Sequence, residues 1–398
     1  MLKYSVKIDN FAWPVFVIYL LTKAFAGPLG IIFPLIRFVP VVMMLALISY
    51  KLVVLISVSM RTIIMCAVIL LYIVIGVYYK SLFAALFGFY MFIPLLFSIL
   101  FANELIDKII NISSYKFALF LFVTCSIGVI YVDAFGAPWI GFEQEFAGVT
   151  KSVSKEWSSD GIVRNPGFTS GSVSSAAIML MVTAQLGRYY SSRNHYLIFF
   201  GLFAIAFYII NLTTSKTMMI SLALVLVFLC LPSYLMRWGV KILALITVSL
   251  SYFYMFGDRP LGVLQYDNTL LVRMYSTWPN AIGILDSNIA MMFGKGFGSI
   301  GTPSYMFLSK IANPADNLYV YLYVIFGFLS VILVGMLLFK VLVKRSFYTL
   351  DDKLFYVFVF IAYSGAVTYN VVEASIYATY GGVIAGYVLL GRDKDKIA

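Results

Sequence analysis

Long apolar runs recur along the whole of this 398-residue chain. As an α-helix, a run of about 20 residues crosses the roughly 30 Å hydrocarbon core of a bilayer. A transmembrane barrel would instead show short segments of alternating hydrophobicity. Hydrophobic residues make up 62% of the chain and charged residues 11%, against about 45–50% and about 25% in soluble domains. The sequence therefore predicts an all-α, polytopic integral membrane protein.

The apolar runs predict about twelve transmembrane helices in a single membrane domain, residues 1–398. They fall at about 11–27, 29–50, 62–79, 82–102, 117–136, 173–187, 196–212, 217–236, 242–257, 317–339, 354–370 and 372–390. The start of the chain resembles a signal peptide, because the first run contains the triplet Ala24-Phe25-Ala26. Since further spans follow, an uncleaved first helix is expected.

The connections between the runs are of two kinds. Short ones such as RYYSSRNH, RWGVK and KRSFYTLDDK are basic, which is typical of cytoplasmic loops. With both termini cytoplasmic, all of these basic connections lie on one side. Residues 137–172 and 258–316 then form two long external loops. Long loops of this kind tend to carry function, so the active face is expected to be the external one.

The formal charge of +11 does not require a nucleic-acid partner. The positive-inside rule accounts for the same excess in a membrane protein, with membrane lipids as its partners. Three cysteines lie within apolar runs, without disulfide or metal spacing: Cys66, Cys125 and Cys230. The only histidine, His195, lies in a basic cytoplasmic connection and is expected at the surface. No metal or cofactor motif is found, so neither is expected.

Several cations and a few carboxylates fall on the predicted external face. Arg164 lies in IVRNPGFTSGS, Lys216 begins an apolar run, and Arg259 and Arg273 lie in the second long loop. Arg37 faces the same side if its helix starts near Pro40 rather than Pro28. Arginine clamps phosphate oxygens with a planar fork and remains charged. These residues therefore favour a phosphate or diphosphate site, whereas the alternative for each arginine is snorkelling to lipid headgroups.

Two further features leave alternatives open. Glu373, near the start of the last apolar run, is either a functional carboxylate or an interfacial one. The glycine segment GKGFGSIG, residues 294–301, partly imitates a dinucleotide-binding loop, but no strand precedes it. A tight external turn that allows close backbone packing is the favoured interpretation.

The order of four motifs resembles the bacterial O-antigen polymerases (Wzy). This family is related to the O-antigen ligases and to other membrane glycosyltransferases of the GT-C type. The motifs are RNPGFTSGSVSSA, LTTSKT, RMYSTWPNAIGIL with MMFGKGFGSIG, and DNLYVYLYVIFGFLS. O-antigen ligases place a histidine before the asparagine of the last motif, whereas Asp316 precedes Asn317 here. That difference favours a polymerase over a ligase.

The resemblance implies glycosyl transfer between two undecaprenyl-diphosphate-linked glycans at the periplasmic face of the inner membrane. It also implies a chain-length regulator and a flippase as partners. Arg164 and Arg273 would stabilise the diphosphate leaving group without a metal ion, and Asp316 would accept the proton of the acceptor hydroxyl. Glu143, Glu145 and Glu373 are rivals for that proton. The residues expected to bind the substrate are Arg37, Glu143, Asn165, Gly167, Lys216, Arg259, Asn317 and Glu373.

Two other functions compete with the polymerase. A flippase or transporter of lipid-linked oligosaccharides should carry its charges along a central cavity between two halves, and internal repeats are common in transporters. This chain shows no internal repeat, and its charges collect in the external loops. An O-antigen ligase is disfavoured because the external face lacks a histidine.

Overall fold

The computed structural model describes residues 8–56, 60–110, 114–146, 149–154, 158–159, 162–256, 269–308, 315–344, 351–369 and 372–391. The helices in the first half are α1 (Ala12–Ala24), α2 (Ala26–Ile32), α3 (Val39–Ile56), α4 (Met60–Tyr79), α5 (Leu82–Leu100), α6 (Ala102–Ile110), α7 (Tyr115–Phe135) and α8 (Ser172–Ser191). They continue with α9 (Tyr196–Leu212), α10 (Lys216–Cys230), α11 (Ser233–Phe256), α12 (Thr269–Val272), α13 (Trp278–Ile282), α14 (Asn288–Phe293) and α15 (Thr302–Leu308). The last four are α16 (Leu318–Phe326), α17 (Phe328–Val343), α18 (Asp352–Thr368) and α19 (Ser375–Leu390).

The predicted helical class is confirmed, and several helices are apolar enough to span a membrane. Within the described residues, four have the required length: Pro34–Val54, Leu82–Leu100, Tyr115–Phe135 and Ser233–Phe256. A fifth span results if α1 and α2, whose axes are bent by 84° relative to each other, are counted together. Five shorter apolar helices accompany them: Ile63–Tyr79, Tyr196–Leu212, Lys216–Cys230, Phe328–Val343 and Ser375–Leu390. The number of twelve crossings stays a prediction.

Ion pairs and lysine–carbonyl bonds join the helix ends on one side of the bundle, which we call the charged end. The pairs Arg188–Asp351, Arg237–Asp352, Lys51–Asp9 and Lys51–Glu104 define it. Lys353 and Lys340 donate there to the last carbonyl groups of α10 and α19. A cation at a helix C-terminus satisfies free carbonyl groups and the negative end of the dipole. The helices alternate in direction, so their other ends lie together on the opposite side, the loop end.

The two long loops predicted from the sequence contain short ordered elements. Residues 137–171 hold the antiparallel pairs β1 (Glu143–Phe146) with β2 (Val149–Ser152), and β3 (Ser158–Ser159) with β4 (Ile162–Val163). Residues 269–308 hold α12 to α15 and a π-helical turn, Arg273–Thr277. A π-turn inserts an extra residue into a helix and is often found at functional sites.

The core is centred on α8, α18 and α19, whose side chains are buried around most of each helix. Small residues allow close packing between helices. A Cβ atom on Gly382 or Gly386 of α19 would lie 2.7 or 2.5 Å from the backbone of α5. These contacts hold α19 against α5, and α19 begins at the loop end, where the candidate site lies.

Candidate functional site

Arg273 and Asp316, both predicted as catalytic, form an ion pair in the structure. Arg273 Nε lies 3.1 Å from Asp316 Oδ2, although 42 residues separate the two along the chain. Arg273 Nη1 also donates to the Thr368 carbonyl oxygen at the end of α18, at 2.8 Å. The two side chains are 26% and 36% exposed. The pair is therefore held by the fold but remains open to a ligand.

Asn317 fixes the backbone next to Asp316. Its Oδ1 accepts the N–H groups of Tyr319 and Val320 at 2.8 and 3.3 Å, which caps α16. Its Nδ2 donates to Ser251 Oγ of α11 at 2.9 Å, and the residue is fully buried. The structure therefore places Asn317 as a positioning residue for Asp316, with its side chain turned away from the surface where the substrate was predicted to bind.

The surroundings of Asp316 shift its pKa in two opposite directions. Burial raises the pKa of the Asp316 carboxyl above its ordinary value, and the neighbouring Arg273 opposes that rise. The net direction is upward. A carboxylate with a raised pKa is a better proton acceptor near neutral pH than an ordinary aspartate.

The connection between α18 and α19 joins Arg273 to other predicted residues. Tyr369, next to Thr368, shares a 3.2 Å hydrogen bond with Ser215, the residue before Lys216. Lys216 is exposed at the first position of α10. Glu373 lies a few residues further along the same connection. The end of α18 thus contacts both Arg273 and the residue before Lys216, whereas Glu373 lies just before α19.

Glu373 is bonded to the start of α15. Its two carboxylate oxygens accept the N–H and the hydroxyl group of Thr302, at 2.7 and 2.6 Å. A carboxylate at a helix N-terminus satisfies a free N–H group and the positive end of the dipole. Both oxygens therefore have a structural partner, which favours a positioning role for Glu373 over that of proton acceptor.

The segment around Arg164 folds into a compact turn against α7. Asn165 Nδ2 donates to the Val129 carbonyl at 2.9 Å, and Asn165 Oδ1 accepts the Gly167 N–H at 2.9 Å. Gly167 has φ +55° and its carbonyl accepts from Trp139 Nε1 at 3.0 Å. Asn165 and Gly167 are buried, whereas Arg164 is half-buried. Asn165 and Gly167 therefore shape the turn that presents Arg164.

Arg37 and Glu143 belong to a separate part of the loop end. Arg37 Nη2 donates to Gln144 Oε1 at 2.5 Å, and Gln144 Nε2 donates to the Gly30 carbonyl at 2.5 Å. Since α3 begins at Val39, Arg37 precedes the helix, as the alternative with a start near Pro40 requires. Glu143 and Glu145 are exposed on either side of Gln144 in β1. The contacts of Arg37 therefore tie the β1–β2 hairpin to α2.

Two other predictions concern single residues. His195 is exposed just before α9, as the sequence predicts, and lies at the charged end. Arg259 lies outside the described residues.

The glycine segment 294–301 forms a tight, closely packed turn, as the sequence predicts, and its side of the membrane stays a prediction. Gly294, Gly296, Gly298 and Gly301 have φ between +74° and +84°, as a tight turn requires. The segment is buried between α4, α5 and α16. A Cβ atom on Gly296 would lie 2.2 Å from the Gly76 nitrogen of α4, and one on Gly298 would lie 2.3 Å from the Ala84 oxygen of α5.

Sequence reasoning missed an ion pair beside this glycine segment. Lys295 is 6% exposed, and its Nζ lies 2.8 Å from Asp286 Oδ2. The same ammonium group lies 5.1 Å from the centre of the Tyr79 ring. A charged residue between glycines, Gly294-Lys295-Gly296, is the one signal in the sequence that could have indicated it.

No family model, curated protein or solved structure matches this chain.

Proposed function

We propose that the protein is a polysaccharide polymerase that joins polyprenyl-diphosphate-linked repeat units by glycosyl transfer. The observation that carries the proposal is the Arg273–Asp316 ion pair, with 3.1 Å between Nε and Oδ2. Two residues selected for complementary chemical roles, from motifs far apart in the sequence, lie in contact. The reaction needs these two groups together, a cation for the leaving diphosphate and a carboxylate for the attacking hydroxyl.

In the proposed reaction, the acceptor hydroxyl oxygen bonds to the anomeric carbon of the donor glycan. The bond from that carbon to the diphosphate oxygen breaks, and the diphosphate leaves with the electron pair. Asp316 takes the proton of the acceptor hydroxyl. Arg273 stabilises the negative charge that develops on the diphosphate, an effect of about 2.7–4 kcal/mol for one preorganised donor.

The resting ion pair couples donor binding to proton transfer. Arg273 lowers the pKa of Asp316 while the two are paired. When the donor diphosphate binds the guanidinium group, it offsets part of that positive charge. The pKa of Asp316 then rises, so the carboxylate becomes a stronger base only when the donor is bound.

The remaining sequence-based predictions belong to the same proposal. The chain crosses a bacterial inner membrane twelve times, with both termini in the cytoplasm and the loop end in the periplasm. The lysines and arginines of the charged end support this orientation. Arg164 and Lys216 supply further positive charge at the loop end, and a flippase and a chain-length regulator act with the enzyme.

Purified protein in detergent, supplied only with purified lipid-linked repeat units, tests the proposal against its alternatives. A polymerase yields glycans of two or more repeat units and releases polyprenyl diphosphate. A flippase yields no longer product. A ligase requires a second, different acceptor such as lipid A–core. Product that appears only with that acceptor would refute the polymerase.

A further inference from the structure

The glycine segment 294–301 joins the end of α4 to the end of α16. The backbone N–H groups of Lys295 and Gly296 donate to the carbonyl groups of Val324 and Ile325, at 2.9 and 3.0 Å. Phe297 N–H donates to the Tyr72 carbonyl of α4 at 3.1 Å. The fold therefore holds Lys295 at a fixed position beside the last turns of both helices.

A second lysine, Lys80, directly follows α4 and lies close to this ion pair. Lys295 is paired with Asp286, whose side chain is 68% exposed. Lys80 is half-buried and has no ion pair within 4 Å among the residues that the structure describes. Burial lowers the pKa of the Lys80 ammonium group, the positive charge of Lys295 lowers it further, and the negative charge of Asp286 partly offsets both effects. One carboxylate thus faces two ammonium groups, so an anion bound beside them would neutralise the remaining positive charge.

Exposed apolar side chains flank the lysine pair. They lie at the end of α4, at the start of α5 and on α14: Tyr78, Leu82, Phe83, Ile289, Met292 and Phe293. Large contiguous apolar surface with charged groups at its margin is typical of a lipid site, since chains contact the apolar part and the headgroup meets the charges. The arrangement fits the phosphate group of a lipid.

Helix α16 separates this lysine pair from the Arg273–Asp316 pair. Asp316 lies just before the first residue of α16, whereas Lys295 is bonded to the carbonyl groups near its end. At about 1.5 Å per residue, a nine-residue helix spans about 14 Å. Two cationic sites therefore lie at opposite ends of one short helix, at the same end of the bundle.

We propose that Lys80 and Lys295 bind the diphosphate of the acceptor, the second lipid-linked glycan. This inference rests on the proposed polymerase function. The reacting hydroxyl of an acceptor lies at the far end of its repeat unit, so its diphosphate must be held away from the reaction centre. That diphosphate does not change during the transfer. Lysines that act as point charges are sufficient there, whereas the leaving group needs the fork of an arginine.

Native mass spectrometry of the purified protein with undecaprenyl diphosphate tests the proposal. Wild-type protein is expected to bind two molecules, and Lys80→Gln one. Because the lost interaction is charge-assisted, KM for the acceptor in the polymerisation assay should rise about tenfold or more. Lys295→Gln should act likewise. Since Lys295 is buried and its variant could fail to fold, the half-exposed Lys80 decides the result. The matched control is Lys353→Gln, a half-buried lysine at the charged end.

Two results would overturn the proposal. One is binding of two undecaprenyl diphosphate molecules to Lys80→Gln with an unchanged KM. The other is an equal loss of phosphatidylglycerol binding, which would identify the lysines as a site for ordinary lipid headgroups. Undecaprenol, which lacks phosphate, is expected not to bind there. Under either result, wild-type protein still elongates glycans. If the proposed polymerase function is wrong, wild-type protein elongates no glycans, although the number of bound lipids is unchanged.

Discussion

At the scale of single residues, each end of the bundle has a partly exposed arginine–aspartate pair that can be compared with one at the other end. Arg273–Asp316 lies at the loop end, with side chains 26% and 36% exposed. Arg237–Asp352 lies at the charged end, with side chains 32% and 30% exposed. The two pairs are chemically alike and similarly accessible. The second pair is therefore an internal control for any effect that comes merely from breaking a surface ion pair.

Asp316→Asn should abolish activity while leaving the fold intact. The amide cannot accept the proton of the acceptor hydroxyl, so we expect the rate to fall at least about 100-fold, the lower range for removing a general base. A partly exposed ion pair contributes only about 0–1 kcal/mol to stability. Thermal unfolding of the purified variant should therefore match the wild type. Full polymer from Asp316→Asn would assign the base to another group, with Glu143, Glu145 and Glu373 as the rivals.

The pH dependence of the rate should reflect the raised pKa of Asp316. The base must be ionised, so kcat/KM falls as the pH drops through the pKa of Asp316. Because burial raises that pKa, the fall in kcat/KM at low pH, the acidic limb of the profile, should be centred above about pH 3.9, the pKa of an ordinary aspartate. A profile of kcat/KM against pH in a fixed detergent checks this. An acidic limb at or below the ordinary value would contradict the role of Asp316.

The sequence indicates the chemical types of the site residues, whereas their contacts arise only from tertiary packing. Arg273 and Asp316 were chosen as a cation and a carboxylate from separate motifs, and the structure brings them together. Asn317 was expected to bind substrate, but capping α16 and bonding Ser251 occupy its side chain. Lys295 was missed because its partner, Asp286, becomes a neighbour only when the glycine segment folds back between the helices.

At the scale of elements, the glycine positions of segment 294–301 should not tolerate a side chain. Gly296→Ala would place an alanine in the left-handed backbone region, at φ +74°. Its Cβ atom would lie 2.2 Å from the Gly76 nitrogen. The backbone conformation costs about 1–2 kcal/mol, and overpacking adds about 1–3 kcal/mol. We expect a lower unfolding temperature in detergent and reduced polymer formation.

Gly335→Ala is the matched control for this prediction. Gly335 lies within α17, and a Cβ atom there would meet nothing within 4 Å. Alanine favours a helix over glycine by about 1 kcal/mol, so the control should be at least as stable as wild type. Equal unfolding temperatures for Gly296→Ala and wild type would mean that the segment does not pack against α4.

Apolar runs predicted many of the long helices, because a segment inside a bilayer must satisfy its backbone hydrogen bonds internally, as a helix does. They did not predict where helices break. The predicted spans 11–27 and 29–50 become three helices. A sharp bend separates α1 from α2, and α3 starts at Val39. The run 317–339 is divided at Gly327, which has φ +57°. The amphipathic α6 was also missed, because its charged residues interrupt the apolar pattern.

At the scale of the whole molecule, the two ends of the bundle should lie on opposite sides of the membrane. Glu145 is exposed on the hairpin at the loop end, and Ser192 is exposed near Arg188 at the charged end. Each position is changed to cysteine after Cys66, Cys125 and Cys230 are replaced by alanine. An impermeant thiol reagent should label Glu145→Cys in spheroplasts, and Ser192→Cys only after the membrane is opened. Labelling of both from the same side would contradict the orientation.

The most direct test of the central claim compares Arg273→Lys with Arg237→Lys in the polymerisation of purified lipid-linked repeat units. Both changes keep the positive charge and remove the planar fork of an arginine in a half-exposed ion pair. If Arg273 stabilises the leaving diphosphate, Arg273→Lys should reduce the rate of chain elongation about 100- to 1000-fold. Arg237→Lys should elongate glycans at the wild-type rate. Wild-type elongation by Arg273→Lys, or an equal loss in both variants, would contradict the account.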